Sequence, residues 1–137
     1  MLRTLAAQLL KEEKAQVREV IAASIGTIGL PEAEQCVDSL IRCLQTPDED
    51  PNVKAMCVWS IGRLATYQTG QKATRILVAA LKDSYWKVRA AACTAVAQIG
   101  EPVAQQTLPI LTKLLREGAV NRQTVAETMI NVGVLGE

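Results

Sequence analysis

The chain repeats one pattern about every 34 residues, and this period constrains the fold more than any single residue does. A valine followed by a basic residue, or its equivalent, opens each of four segments: Val17-Arg18, Val53-Lys54, Val88-Arg89 and Asn121-Arg122. Eight residues after each opening come Ile25, Ile61, Val96 and Met129, and eleven residues after come Ile28, Leu64, Ile99 and Val132. Positions 0, 4, 8 and 11 of such a segment lie on one face of an α-helix, so each segment predicts an amphipathic helix. A fixed period of this size is typical of a solenoid, whose units bury their apolar faces by stacking.

Each repeat divides into two helices, here called the A helix and the B helix. The A helices are predicted at Leu2 to Lys11, Pro31 to Gln45, Gly70 to Leu81 and Pro102 to Arg116. The B helices are predicted at Ala15 to Ile28, Pro51 to Ala65, Ser84 to Ile99 and Asn121 to Val134. Prolines at 31, 51 and 102 suit the first turn of a helix, Asp50 suits an N-cap, and Pro109 is expected to kink the fourth A helix.

The predicted fold is therefore all-α: an α-solenoid of about four stacked helical hairpins in a right-handed superhelix. The whole chain, residues 1–137, forms one repeat domain with repeats at about 1–30, 31–66, 67–101 and 102–137. The side chains expected in the core are Ile21, Ile25, Ile28, Leu40, Leu44, Ile61, Leu64, Leu77, Leu81, Val88, Ala92, Val96, Ile99, Leu111 and Met129.

The stretch from Leu77 to Gly100 carries the turn acid Asp83, the Val88-Arg89 pair, small residues in mid-helix and a closing Ile-Gly. With these features the chain resembles the HEAT repeat family over essentially its whole length. The fourth repeat departs from the pattern, because Arg116 replaces the turn acid and Asn121 replaces the valine. The resemblance implies that the B helices line a concave surface, and it is nearly silent on function, because one fold serves many functions.

Composition removes most catalytic and membrane functions from consideration. The chain of 137 residues carries a net charge of +1, has no histidine, and contains no apolar run close to the ~20 residues of a membrane span. Without histidine there is no His-dependent triad, and the four cysteines have no metal-ligand spacing, so they are expected to be core thiols. We expect no enzyme activity, no metal, no cofactor, and a cytoplasmic, reducing location.

One basic residue per repeat forms a ladder at position 1, consisting of Arg18, Lys54, Arg89 and Arg122. Such a row can track a phosphate backbone or an acidic peptide. The acids Glu12, Asp48 and Asp83 recur five residues before each valine, and their carboxylates can instead bond turn amides and a neighbouring basic residue. This second, structural interpretation is favoured, because similar HEAT repeats lock successive hairpins with an Asp/Arg ladder.

The outward face of the B helices is the candidate partner-binding surface. Its candidate residues are Trp59, Arg63, Thr94, Gln98, Glu127 and Asn131. Trp59 is the one large aromatic residue in a column of small or polar side chains, and an exposed Trp beside Arg is typical of an interface hot spot. The alternative, that Trp59 packs into the seam between helices, is equally open.

Two further features allow a structural or a functional interpretation. Trp86 is expected to seal its hairpin by packing, with Tyr85 the exposed neighbour. The acidic loop at residues 46–50 is two residues longer than the other turns and is interpreted as decoration rather than a contact.

The predicted function is a protein–protein interaction scaffold that binds a protein segment on its concave B-helix surface. The alternatives are nucleic-acid or phosphate binding through the ladder, and a HEAT-like enzyme or lyase subunit, both disfavoured by the near-neutral charge. Because Leu5, Leu9 and Leu10 leave the first helix apolar on at least one side, we expect a segment of a longer array or self-association through a solenoid end.

Overall fold

A computed structural model describes residues 2–65, 67–99 and 103–117 of the chain. Within these ranges the chain forms seven α-helices, one short 3₁₀ helix and no β-strand. The α-helices are Leu2–Lys11 (α1), Ala15–Ile28 (α2), Val37–Leu44 (α3), Pro51–Leu64 (α4), Tyr67–Leu81 (α5), Trp86–Ile99 (α6) and Val103–Glu117 (α7). The 3₁₀ helix, Glu32–Cys36, precedes α3.

The helices pair as three consecutive hairpins, α1 with α2, α3 with α4, and α5 with α6, and α7 packs on the last of them. The structure is therefore the all-α solenoid that the sequence predicts. The predicted fourth B helix, Asn121 to Val134, lies outside the described residues.

The B helices α2, α4 and α6 form the spine of the stack, because successive hairpins pack more extensively through them than through α3 and α5. Small residues allow the close approach. A Cβ added at Gly62 of α4 would lie 2.6 Å from the Cα of Ala95 in α6. In α4 the buried Ser60 donates a hydrogen bond of 2.6 Å to the Ala22 carbonyl of α2, which satisfies its hydroxyl inside the seam.

Most of the predicted core is buried, including every position 8 residue that the structure describes: Ile25, Ile61 and Val96 are all fully enclosed. Leu44 and Ile99 are partly buried and pack against the core, and Met129 lies outside the described residues. The prediction is wrong for Ile28, which is 38% exposed, and Val17 at position 0 is exposed to the same extent. No B helix lies on the outer side of α2 within the described residues, whereas α2 covers α4 and α4 covers α6.

Two helix starts differ from the sequence prediction. The second A helix begins with the 3₁₀ turn and becomes α-helical only at Val37, a common form for the first turn of a helix. The third A helix begins at Tyr67 rather than Gly70. Gly70 therefore lies inside the helix, where a glycine has only a modest cost in helix stability. Asp50 caps α4 as expected, since its carboxylate accepts the Asn52 amide at 2.8 Å.

Candidate functional site

The ladder residue Arg18 is held by its own turn and by the next hairpin. Its Nη1 donates to the Glu12 and Glu13 carbonyl oxygens at 2.9 and 2.8 Å. Its Nη2 and Nε donate to the two carboxylate oxygens of Glu49 at 2.6 and 3.1 Å, a bidentate pair between consecutive repeats. The hydrogen bonds that Arg18 donates to Glu49 raise the pKa of its guanidinium above the usual value. Through all of these contacts the guanidinium joins the first turn to the second.

The turn carboxylate of the second repeat is Glu49, and the sequence-based choice of Asp48 is wrong. Asp48 is exposed and adopts a left-handed backbone conformation, with φ of 60°. This residue takes up part of the two-residue insertion and shifts the functional carboxylate one place along the chain. Glu49 is only 3% exposed and accepts the Asp50 amide at 2.8 Å, as Glu12 accepts the Lys14 amide in the first turn.

The Cys43 thiol completes the Glu49 site by donating to its carboxylate at 3.3 Å. Burial acts to raise the pKa of Glu49, but the hydrogen bonds from Arg18, the Asp50 amide and Cys43 outweigh it, and the pKa is lowered. A hydrogen bond with Cys43 and burial raise the pKa of Cys57 well above its usual value. All four cysteines are buried free thiols, so they line the core as the sequence predicts.

The third turn repeats this arrangement with different side chains. Lys54 pairs with Asp83 at 2.5 Å, and the Tyr85 amide donates to the same carboxylate at 2.8 Å. Burial alone would raise the pKa of Asp83, but these bonds lower it overall. Arg89 donates to the Asp83 and Ser84 carbonyls at 2.7 and 2.9 Å, the same two bonds that Arg18 makes in its turn. Arg122 lies outside the described residues.

The aromatic–arginine pair on the B-helix surface is made by Trp59 and Arg63, one turn apart in α4. Trp59 is partly buried, and the Arg63 guanidinium carbon lies 5.0 Å from the centre of its ring. The ring rests against α2, because a Cβ added at Gly26 would lie 2.8 Å from its Cζ3 atom. Arg63 is exposed, and its Nε donates to the Gly26 carbonyl at 3.0 Å, near the end of α2. Trp59 is thus both a seam residue and a surface residue, so each of the two sequence interpretations describes part of its environment.

Gln98 and Thr94 lie on the neighbouring helix α6, and both are exposed. The Gln98 side chain reaches over α4, since a Cβ added at Gly62 would be 3.1 Å from its Oε1 atom. The Thr94 hydroxyl donates to the Ala90 carbonyl of its own helix at 3.3 Å. The remaining candidates, Glu127 and Asn131, lie outside the described residues.

The positions expected for Tyr85 and Trp86 are reversed. Tyr85 is partly buried and packs against the core, whereas Trp86 is 56% exposed and contacts Lys87 through its ring. Trp86 precedes the buried Val88 by two residues, which is more than half a helical turn, and this spacing directs it away from the core.

Two kinds of site are absent from the part of the chain that the structure describes. No group of three or more His, Cys, Asp or Glu side chains is arranged to hold a metal ion there. No helix in the same ranges is long and apolar enough to cross a membrane.

Stacked hairpins joined by turn-to-turn ion pairs, with polar and aromatic side chains on the B helices, define an α-solenoid with an extended surface. The family model described as HEAT repeats matches residues 2–69 and again residues 37–130. The chain belongs to the HEAT repeat family. A search of curated proteins finds no match.

Proposed function

We propose that the chain is a non-enzymatic interaction module that binds a protein segment on its B-helix surface, around Trp59, Arg63, Thr94 and Gln98. HEAT repeats commonly serve as protein-interaction scaffolds, which is the coarser statement that family membership supports. The observation that carries the finer proposal is the Trp59–Arg63 pair, with the ring anchored on α2 and the guanidinium exposed.

Anchoring makes this pair suited to binding. Trp59 is held against Gly26, and Arg63 is held by the Gly26 carbonyl. Because both side chains are already ordered, binding a partner costs less side-chain entropy than it would for two mobile side chains. Trp and Arg are also the residue types enriched among interface residues that contribute most to affinity. A partner segment that packs an apolar side chain on the indole and a carboxylate on the guanidinium fits this surface.

The packing of the stack favours the B-helix side. Successive hairpins touch more through α2, α4 and α6 than through the A helices α3 and α5, so the repeats converge towards the B side. Convergence on one side is what a concave B-helix surface requires. Thr94 and Gln98 extend the Trp59 surface across α6, which gives a segment-sized site rather than a single pocket.

The alternative, phosphate binding through the ladder, is disfavoured by the ladder's own contacts. Arg18 and Lys54 are paired with Glu49 and Asp83, and Arg89 is bonded to two turn carbonyls. Binding a phosphate would require these carboxylates to lose their partners while partly buried, which is costly. The net charge of +1 offers little compensating attraction.

The test is quantitative capture of partners from the cells that make the protein, with three variants beside the wild type. Thr94→Glu adds a charge to the surface without removing an inter-helix contact, so it should release the bound protein while the fold is kept. Trp59→Ala should weaken binding at least ~10-fold, the effect of losing ~1.4 kcal/mol or more. Trp86→Ala removes an exposed side chain of the same size from the first residue of α6, away from the proposed surface, and should bind like the wild type.

Proteins retained equally by Thr94→Glu and the wild type would overturn the proposed surface. Raising the salt concentration distinguishes the two functions. The affinity for a nucleic acid should fall steeply with salt, whereas the affinity for a protein that packs on the indole should not. Recovery of nucleic acid that disappears in Lys54→Gln would favour the ladder instead.

A further inference from the structure

The junction between the second and third hairpins contains an open cavity of about 330 Å³. It lies between the A helices α3 and α5, which contact each other less than α1 and α3 do. Residues of α3, α4, α5 and α6 line this cavity. Its volume is within the range of ~300–1,000 Å³ that small-molecule sites occupy. A space of this size between four helices fits a small molecule and not a helix or a folded surface.

The inner wall of the cavity is apolar. Leu44 and Ile76 line it while they pack against the core, and the cavity extends inward to Ala80 and the fully buried Val88. An apolar group that enters this space removes its own surface and that of the wall from water, which favours binding. The wall therefore fits the aliphatic or aromatic body of a ligand.

The rim of the cavity carries an excess of one positive charge. Its ionic side chains are Lys54, Arg75 and Asp83. Lys54 is paired with Asp83, so these two charges balance. Arg75 is exposed and has no carboxylate partner among the residues that the structure describes. An unpaired guanidinium beside an apolar wall complements a ligand with one negative charge, and a carboxylate matches its planar donors best.

The preceding junction shows that this fold holds a carboxylate on a cation in the corresponding space. The cavity there is smaller, about 220 Å³, and residues 46–49 of the longer turn form part of its lining. The Glu49 carboxylate pairs with Arg18 in its wall and accepts a hydrogen bond from Cys43.

Three differences in the sequence leave the later junction open. Its turn is two residues shorter, Asp83 is one methylene shorter than Glu49, and Ala80 stands at the repeat position of Cys43. Arg75 stands at the repeat position of an acid, Asp38 in α3, so its positive charge is specific to the third repeat. The larger cavity and the added cation thus occur together.

We propose that this cavity binds a small monocarboxylic acid, with the carboxylate on Arg75 and an apolar body against Leu44, Ile76 and Val88. The carboxylate remains at the rim, where it keeps part of its hydration, so pairing it with Arg75 requires little desolvation. None of the lining residues belongs to the proposed partner-binding surface on the B helices, so the two sites can be tested separately.

The test is an NMR titration of the nitrogen-15-labelled chain with octanoate, which carries a carboxylate on an aliphatic chain. The amide signals of Gln45, Ala79 and Ala80 should shift, with a dissociation constant of about 1 mM or lower. Octylamine has a similar chain with a positive charge, and acetate has the carboxylate without the chain. Each should bind at least ~10-fold more weakly than octanoate. Unshifted amides at the cavity, or equal affinities for octanoate and octylamine, would overturn the proposal.

Variants locate the two parts of the site. Arg75→Gln should weaken octanoate binding at least ~10-fold, and Arg75→Lys should keep most of it. Arg42→Gln is the matched control, since Arg42 is an exposed arginine of α3 that does not line the cavity.

Ala79→Phe should abolish octanoate binding, because the ring would fill the cavity. Ala79 and Arg75 are exposed, so their variants should keep the helical circular dichroism of the wild type. Octanoate affinity that is unchanged by Arg75→Gln or Ala79→Phe would contradict the proposed site, and so would an equal loss in Arg42→Gln.

Discussion

The Arg63 guanidinium lies 5.0 Å from the centre of the Trp59 ring, and the same side chain donates to the Gly26 carbonyl of the preceding B helix. One repeat later, Gln98 occupies the position of Arg63 and reaches Gly62, which corresponds to Gly26. Side chains at this position therefore join the stack and form its surface at the same time. A substitution there affects stability as well as binding, and the two effects have to be measured separately.

Replacing Trp59 with alanine should lower the free energy of unfolding by about 2 kcal/mol. The reason is that a partly buried indole that packs on Gly26 is lost, while a fully buried Trp would cost about 3–5 kcal/mol. Urea denaturation followed by circular dichroism measures this change. Trp86→Ala should stay within about 0.5 kcal/mol of the wild type, and equal losses in the two variants would contradict the seam contact.

Replacing Gly62 with alanine should destabilise the stack despite the better helix propensity of alanine. Propensity contributes about 1 kcal/mol in favour of the variant. The new methyl group would lie 2.6 Å from both the Cα and the Cβ of Ala95, so the α4 and α6 backbones must separate. Overpacking of this kind typically costs about 1–3 kcal/mol, and backbone contact puts this site at the upper end. A thermal melt in which Gly62→Ala is more stable than the wild type would refute the close packing of the B helices.

Stability should depend on Glu49 as the solution is acidified. The pKa of this carboxyl is lowered in the folded chain relative to its ordinary value of 4.5. A lowered folded-state pKa contributes stability above the unfolded-state value, and the contribution is lost as the pH falls through the folded-state value. Urea titrations from pH 7 down to pH 3 should therefore show a smaller loss of stability below about pH 4.5 in Glu49→Gln than in the wild type, with the remaining loss due to other paired carboxylates such as Asp83.

At pH 7 the Glu49→Gln variant should already be less stable by about 1–3 kcal/mol, because Arg18 loses its charged partner. Glu13→Gln is the matched control, since the Glu13 side chain is exposed and only its backbone carbonyl bonds the same arginine. If the free energy of unfolding changed with pH in the same way for the wild type and Glu49→Gln, the ion pair would add no stability.

An aspartate at position 96 should cost well over ~3 kcal/mol, because it places a charge in the core where Val96 is fully buried. Thr94→Asp adds the same charge to the exposed face of the same helix and should be nearly neutral. An unchanged melting temperature for Val96→Asp would exclude position 8 of the repeat from the core.

The repeat period was sufficient to predict the fold. Apolar residues at helical spacing and prolines at helix starts fix hairpins that can be buried only by stacking, which is why Ile25, Ile61 and Val96 are placed correctly. The same period failed for Val17 and Ile28, because burial at those positions depends on a neighbouring hairpin and not on the helix itself.

The turn chemistry was predictable only where the turns have equal length. Counting back from the valine located Glu12 and Asp83, but it selected Asp48 instead of Glu49 because the insertion contains a left-handed residue. The contact between Cys43 and Glu49 has no sequence signal beyond an apolar-face cysteine near the end of an A helix. For Trp59, the position in the helix alone could not decide between an exposed side chain and one packed between helices, because the ring extends from α4 over Gly26 of α2.

The most direct test of the proposed function is site-specific photo-cross-linking in the cells that make the protein. A photoreactive amino acid replaces Thr94 on the B-helix surface, and Lys82, which is exposed in a turn, serves as the control position. The proposed function predicts a discrete protein adduct at position 94 that is absent at position 82 and disappears when Trp59→Ala is added. Adducts that form equally at both positions, or at position 94 regardless of Trp59, would contradict it.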